Sequence, residues 1–222
     1  MAEGDSTPSG QFEWWRKSLA YRTGMGMSDE EKAAFEEEYR VRQSKNRTCA
    51  TCEQDRSWML QYSPLVRFMI DQLKRVGDGE VPEIKCLDCN DLKGGGFHPQ
   101  EGILLCANWL KDKWQLEDVL THELVHAYDY KVFAVDLNNL KHHACTEIRA
   151  SMLSGECRVL NEIRKTGLAN FSTKFQSCVR RRAVLSVTAN PKCKDAAEAE
   201  AVVGHVWNSC FNDTRPFERV YR

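Results

Sequence analysis

The chain has 222 residues, of which 42% are hydrophobic and 28% are charged, proportions that are ordinary for a globular protein. Its formal net charge of −1 excludes an overall positive field that would attract nucleic acid or an anionic membrane surface. No apolar run approaches the roughly 18 residues that a membrane-spanning helix requires. The first residues, MAEGDSTPSG, are acidic and small, and they predict neither a secretory signal nor an arginine-rich transit peptide.

Residues 1–48 are predicted to form a polar N-terminal extension with one charged helix. Ser28 and Glu31 have the spacing of a capping box, which predicts a helix over about 29–44. Residues 45–57 are predicted to form a loop that carries the first Cys-x-x-Cys. A single domain over 49–222 follows, and its first core helix begins at Ser63 and ends at Gly77, because apolar residues recur there at i, i+3 and i+4.

Between residues 80 and 108 the pattern becomes that of β-structure. Val81–Ile84 predicts a short strand, and GGGFHPQEGILLCAN predicts a hairpin that turns at Pro99–Gly102. We expect Ile103–Cys106 to be an edge strand, to which an extended peptide could add by β-pairing. Helices are predicted over about 116–132, 142–157, 171–188 and 195–210. The predicted fold class is therefore α+β, with a small sheet packed on the helix over 116–132 and a mostly helical C-terminal part.

Ten cysteines are a high and even number for a chain without a signal peptide. They are Cys49, Cys52, Cys86, Cys89, Cys106, Cys145, Cys157, Cys178, Cys193 and Cys210. Dispersed cysteines in even number favour disulfide bonds, which need an oxidising compartment. The two Cys-x-x-Cys pairs could instead form a four-thiolate zinc knuckle, although the gap between them is longer than in common zinc ribbons. The sequence leaves the pairing open; a bridge among the last three could join the final two helices.

Residues 121–130 read THELVHAYDY. His122 and His126 lie one helical turn apart, so both imidazoles can reach one Zn²⁺ ion at ~2.0–2.1 Å. Glu123 is placed to take a proton from a water molecule held at the same ion. The pattern His-Glu-x-x-His therefore predicts a zinc-dependent peptidase with Glu123 as catalytic base. The simpler interpretation is a helix whose two histidines have no metal.

A catalytic zinc site needs a third protein ligand. Asp129 lies on roughly the same helix face, but its position suits a hydrogen bond to an imidazole N–H better than ligation. Glu147 lies in the following helix, which could return across the first and deliver its carboxylate. His142 and His143 begin that helix and could also ligate. Glu147 is the preferred ligand, and His142 is the alternative.

Several further blocks occur in a fixed order around the zinc motif: CLDCN, GGGF, ILLCAN, HHACTEIRAS, LSGEC and SCFNDTRPF. Together with THELVHAYD they resemble the ATP synthase-processing zinc metallopeptidases of the mitochondrial intermembrane space, over about residues 49–222. The resemblance implies a zincin-like fold, a catalytic Glu123, and one catalytic Zn²⁺ held by His122 and His126. It does not supply the third ligand.

The resemblance also implies partners and a location. The protein would lie in the intermembrane space, peripherally on the inner membrane, where import without a cleaved presequence is followed by oxidation. It would trim the precursor of ATP synthase subunit 6 and assist assembly of the ATP synthase membrane sector, binding its assembly intermediates. The alternative is an assembly chaperone in which proteolysis is secondary. A DNA-associated protease is disfavoured by the near-zero net charge, so no nucleic-acid partner is expected.

Overall fold

The structure, a computed structural model, describes residues 16–17, 27–90, 93–157 and 171–218. Contacts divide the chain into two compact units, Met1–Thr48 and Cys49–Arg222. The helices and strands of the described residues are α1 (Asp29–Tyr62), α2 (Pro64–Val76), β1 (Ile84–Leu87), β2 (Gly95–His98), β3 (Gly102–Cys106), a 3₁₀ turn (Ala107–Trp109), α3 (Lys113–Val132), α4 (Leu140–Leu153), α5 (Phe171–Thr188) and α6 (Ala196–Phe211). This α+β architecture, mostly helical after the sheet, confirms the predicted fold class. No helix in the described part of the chain is long and apolar enough to cross a membrane.

Helix α1 begins as predicted but is much longer than predicted. The Glu31 backbone N–H donates to Ser28 Oγ at 3.2 Å, and the Ser28 N–H donates to Glu31 Oε2 at 2.8 Å, which is the predicted capping box. The helix then continues to Tyr62, so the loop predicted over 45–57 is wrong. Neither Gly nor Pro interrupts the segment, and its second half is held by the buried side chains of Cys52 and Met59.

Helix α2 confirms the predicted core helix. The Val66 N–H donates to Ser63 Oγ at 3.2 Å, so Ser63 is the N-cap, and Gly77 follows the last helical residue. The same Ser63 hydroxyl donates to Glu117 Oε1 on α3 at 2.6 Å. This buried contact fixes the start of α2 against the helix that carries the His-Glu-x-x-His motif.

The sheet has the strand order β1-β3-β2, with β1 parallel and β2 antiparallel to β3. The hairpin prediction is confirmed, and Gly102 has the positive φ of 87° that its turn requires. The first strand was predicted about three residues too early, since it spans Ile84–Leu87. The prediction that Ile103–Cys106 is an edge strand is wrong, because β1 pairs with it on the side away from β2. The sheet edge next to α3 is therefore β2.

Four disulfide bonds confirm the preference for disulfides. They are Cys52–Cys86, Cys89–Cys106, Cys145–Cys210 and Cys157–Cys178. They join α1 to β1, the segment after β1 to β3, α4 to α6, and the segment after α4 to α5. The alternative prediction of a four-thiolate zinc knuckle is wrong, because three of its four cysteines are bonded in disulfides.

Two of the ten candidate cysteines do not form disulfides, although all ten lie in the described part of the chain. Cys49 and Cys193 are free and half-buried. The Cys49 thiol lies 3.8 Å from Asp88 Oδ1, and the Cys193 thiol donates to the Asp195 carbonyl at 3.2 Å. The possible bridge between the last two helices does not form, since Cys178 and Cys210 both bond to residues of α4 or the segment that follows it.

Candidate active site

Two helices packed against each other, α3 and α4, supply the polar residues of the site. Helix α3 starts at an Asp112 cap, whose carboxylate accepts from the Trp114 and Gln115 N–H groups, and α4 starts at an Asn139 cap. The apolar face of α3, which includes Leu120 and Leu124, is buried. This packing turns the opposite face of α3, with its histidines, towards α4.

His122, His126 and Glu147 come together between these helices. Glu147 Oε2 lies 3.5 Å from His122 Nε2, and Glu147 Oε1 lies 3.4 Å from His126 Nε2. Ligand atoms of a tetrahedral zinc site with bonds of ~2.0–2.1 Å are roughly 3.3 Å apart. Each Nε2 atom therefore lies at about this separation from one Glu147 oxygen. The candidate ligand atoms of the three residues all lie within 4.8 Å of one another, so they could hold one metal ion. They would leave one tetrahedral position for water or substrate.

Asp129 acts on His126 through a neighbouring threonine. Thr146 Oγ1 donates to Asp129 Oδ2 at 2.9 Å and lies 2.9 Å from His126 Nδ1. Because the hydroxyl has one hydrogen and gives it to the carboxylate, it must accept from the imidazole N–H. His126 therefore carries its hydrogen on Nδ1 and keeps the Nε2 lone pair directed at Glu147. Asp129 thus lies beyond the candidate metal-binding atoms, but it reaches the imidazole through Thr146 rather than by the direct hydrogen bond predicted for it.

The Asp129 carboxylate is held in turn by Arg149, a guanidinium whose side chain is only 2% exposed. Arg149 Nε and Nη2 both donate to the carboxylate at 2.9–3.1 Å. Its Nη1 donates to the Asp213 carbonyl at 2.7 Å, and Nη2 donates to the Arg215 carbonyl at 2.6 Å. One buried side chain therefore connects the segment after α6 to His126 through Asp129 and Thr146.

Glu156 is a site residue that the sequence reasoning did not single out. Its Oε1 lies 3.3 Å from His122 Nδ1, although the two atoms are not aligned for a hydrogen bond. Its Oε2 pairs with Arg182 Nη2 of α5 at 2.7 Å. Helical spacing could not reveal Glu156, because it lies beyond the end of α4; its place in the block LSGEC was the only signal.

The structure does not bring His142 to the metal-binding group. His142 is exposed, and its Nδ1 accepts from the Asp136 N–H at 3.2 Å. The neighbouring His143 points into the site instead, with Nε2 3.4 Å from Glu147 Oε1. Asn190 Nδ2 lies 2.9 Å from His143 Nδ1, so an amide hydrogen there leaves the imidazole hydrogen on Nε2, facing Glu147. His143 thereby orients the carboxylate.

The two carboxylates closest to the histidines have opposite pKa shifts. Burial alone would raise the pKa of Glu147, but the surrounding imidazoles, beginning with that of His126, hold it well below its ordinary range. Burial raises the pKa of Glu123, and the neighbouring His122 and His126 imidazoles only partly offset this. Glu147 is therefore ionised, as a metal ligand must be, whereas Glu123 has the environment of a group that takes up and releases a proton.

A cleft of about 570 Å³ opens over these residues. Strand β2 lies along it so close to α3 that a Cβ atom on Gly95 would lie 2.9 Å from Val119 Cγ1 and 3.5 Å from Glu123 Cγ. Only glycine permits this approach of backbone to helix. The glycine run that the sequence placed in the hairpin therefore brings a strand edge next to Glu123.

The model of the peptidase M76 family matches residues 50–218. The chain belongs to the peptidase M76 family. Residues 50–218 contain the entire cleft just described, and they agree with the extent of the resemblance inferred from the sequence blocks. The protein is therefore a peptidase.

Relatives with high identity extend this result over nearly the whole chain. Proteins called mitochondrial inner membrane protease ATP23 are similar at 66% identity in Debaryomyces hansenii, 64% in Meyerozyma guilliermondii and 62% in Candida albicans. Each match covers 95% of this chain and 87–90% of the relative. No solved structure matches the chain. The relatives place the peptidase among the mitochondrial proteases.

Replacing Thr146 with valine is expected to weaken metal binding about 10–100-fold, the usual effect of losing a partner that orients a ligand. Valine keeps the shape of threonine but cannot accept from His126 Nδ1 or donate to Asp129. Competition with a chromophoric chelator measures the affinity. The matched control is Thr121→Val, since the buried Thr121 hydroxyl has no hydrogen-bond partner among the described residues. Equal affinities of the two variants would contradict the role of Thr146.

Proposed function

We propose that the protein is a zinc-dependent endopeptidase with one catalytic Zn²⁺ ion. His122, His126 and Glu147 bind the ion, and Glu123 is the general base. The observation that carries the proposal is the pair of 3.4–3.5 Å separations between Glu147 oxygens and the two Nε2 atoms, which fit a tetrahedral zinc site. Membership of a peptidase family supports it.

A zinc ion bound there would polarise the scissile carbonyl and make a neighbouring water molecule more acidic. The Glu123 carboxylate takes the proton of the attacking water and passes it to the leaving amine. Thr146 and His143 keep His126 and Glu147 in their orientations during these steps. The residues of the site therefore have three separate roles: metal binding, orientation of a metal ligand, and proton transfer by Glu123.

Strand β2 can align an extended substrate next to Glu123. The Cys106 N–H donates to the Gly94 carbonyl at 2.9 Å, and hydrogen-bonded pairs alternate along antiparallel strands. Gly95 and Phe97 consequently direct their N–H and C=O groups away from β3. No described strand pairs with this outer edge, so a peptide can add there by β-pairing. This is the role that the sequence assigned to β3.

The proposed substrate is the precursor of ATP synthase subunit 6, cleaved in the mitochondrial intermembrane space by a protein associated peripherally with the inner membrane. The family blocks in the sequence imply this substrate, and the names of the relatives support the inner-membrane location. A second role, assistance in assembling the ATP synthase membrane sector through contact with its assembly intermediates, is proposed on the resemblance alone.

The test is cleavage of radiolabelled subunit 6 precursor by the purified, oxidised and zinc-loaded protein. We expect a shortened product, formed by the wild type and prevented by a zinc chelator. A precursor left intact, while other peptides are cleaved, would contradict the substrate. In cells that lack the protein, restored ATP synthase assembly by Glu123→Gln without trimming would support the separate assembly role.

A further inference from the structure

We infer that the cleft selects extended peptide segments with large apolar side chains on both sides of the scissile bond. This inference rests on the proposed peptidase site and adds its substrate class. It is carried by four residues that line the cleft, Phe97, Tyr130, Leu137 and Leu185, here called the apolar rim. None of them takes part in metal binding or proton transfer.

Three members of the apolar rim are unusually exposed for their size. The exposed fractions are 45% for Tyr130, 42% for Leu137 and 56% for Leu185. A single exposed leucine needs no explanation. Several exposed apolar side chains that share one cleft with polar groups mark a binding surface, because their contact with water is relieved only when a ligand covers them.

One side of the rim is fixed by the metal-binding helix and the strand edge. Tyr130 lies one helical turn after His126, which is about 6 Å along the axis of α3. Its ring meets the Phe97 ring edge-on, with 6.1 Å between the ring centres. Phe97 belongs to the strand whose outer edge can pair with a peptide, so a side chain of the paired peptide next to the scissile bond would pack on these two rings.

The other two members of the apolar rim are connected to the same site by polar contacts of their neighbours. Asn190 Nδ2 donates to the Leu137 carbonyl at 3.2 Å and also contacts His143. Leu185 lies one turn after Arg182 on α5, and the Arg182 guanidinium pairs with Glu156 beside His122. Glu156 engages the charge of Arg182, whereas the exposed Leu185 side chain lies in the cleft without a polar group of its own. The apolar rim therefore combines side chains of β2 and α3 with side chains of the α3–α4 connection and α5, all in one cleft that an extended chain can occupy.

The experiment measures peptide binding and cleavage separately. Fluorescent decapeptides that are identical except for two central residues, Leu-Phe, Ser-Asn or Asp-Lys, are titrated into zinc-loaded Glu123→Gln protein. Burial of one large apolar side chain corresponds to about tenfold in affinity or more. We expect the Leu-Phe peptide to bind at least about tenfold more tightly than the Ser-Asn peptide, and Leu185→Ser to remove most of this preference.

The matched control is Leu87→Ser, because Leu87 is 53% exposed on β1 and lies outside the cleft; it should keep the preference. Equal binding of all three peptides, no binding of any, or tighter binding of Asp-Lys would overturn the inference.

Wild-type cleavage of the same peptides separates the two proposals. Equal kcat/KM for Leu-Phe and Ser-Asn refutes only the apolar selection. If the Leu-Phe peptide binds but zinc-loaded wild type cleaves none, the proposed function fails and the selection stands.

Discussion

Replacing Glu123 with glutamine is expected to lower kcat on the order of 10²–10⁴-fold while the protein keeps its fold and its metal. Glutamine has nearly the same shape but cannot take a proton from water, and a positioned general base contributes a factor of this size. Because Glu123 is not one of the three proposed zinc ligands, the zinc content of the variant should be unchanged. The measurement is the cleavage rate per bound zinc.

The matched control for this variant is Glu117→Gln. Glu117 is also a buried glutamate of α3, but its carboxylate accepts from the Ser63 hydroxyl at 2.6 Å and does not line the cleft. Its loss of charge should leave kcat close to the wild-type value. Wild-type cleavage by Glu123→Gln would refute the assignment of the base, and equal losses in both variants would indicate a general effect of removing charge from α3.

Replacing Glu147 with glutamine is expected to weaken zinc binding by more than the roughly 10–100-fold typical of an outer partner, because a charged ligand is itself removed. Cleavage should fall with zinc occupancy. The neutral amide also leaves His122 and His126 without the carboxylate that lies 3.4–3.5 Å from both. Chelator competition measures the dissociation constant, and saturating zinc shows how much activity returns.

His142→Ala is the comparison that decides the third ligand. His142 is exposed and contacts the backbone of the α3–α4 connection, so its removal should leave zinc affinity within about twofold of the wild type, as expected for a surface change away from the metal. The opposite pattern, with tight zinc binding in Glu147→Gln and weak binding in His142→Ala, would show that His142 rather than Glu147 holds the ion.

The local parts of the fold were predictable because local chemistry determines them. The Ser28–Glu31 capping box, the end of α2 at Gly77 and the hairpin around Gly102 follow from neighbouring residues alone. The length of α1 was not predictable in this way, since the Cys-x-x-Cys suggested a loop although nothing in the segment breaks a helix. The strand order of the sheet could not be predicted from local sequence either, because β1 pairs with β3, and β2 lies between these two strands along the chain.

In the candidate site, too, the residues determined by local sequence were predictable, and those placed by distant contacts were not. His122, Glu123 and His126 follow from the periodicity of one helix. Glu147 required only the assumption that the next helix packs back on the first, and the structure does bring the three metal-binding candidates together. Glu156 could not be assigned, because it lies in the segment after α4, where helical spacing gives no guidance. His143 was a possible ligand, but its contacts with Glu147 and Asn190 depend on side-chain directions that spacing does not determine.

The metal centre and the disulfide pattern are tested together by the mass of the native, oxidised protein after thiol alkylation under non-reducing conditions. We expect one zinc ion per chain and alkylation of two thiols, Cys49 and Cys193, with loss of the ion in the His122→Ala and His126→Ala double variant. A protein that binds no zinc, or one that keeps its zinc in the double variant, would contradict the assignment of this cleft as a zinc peptidase site.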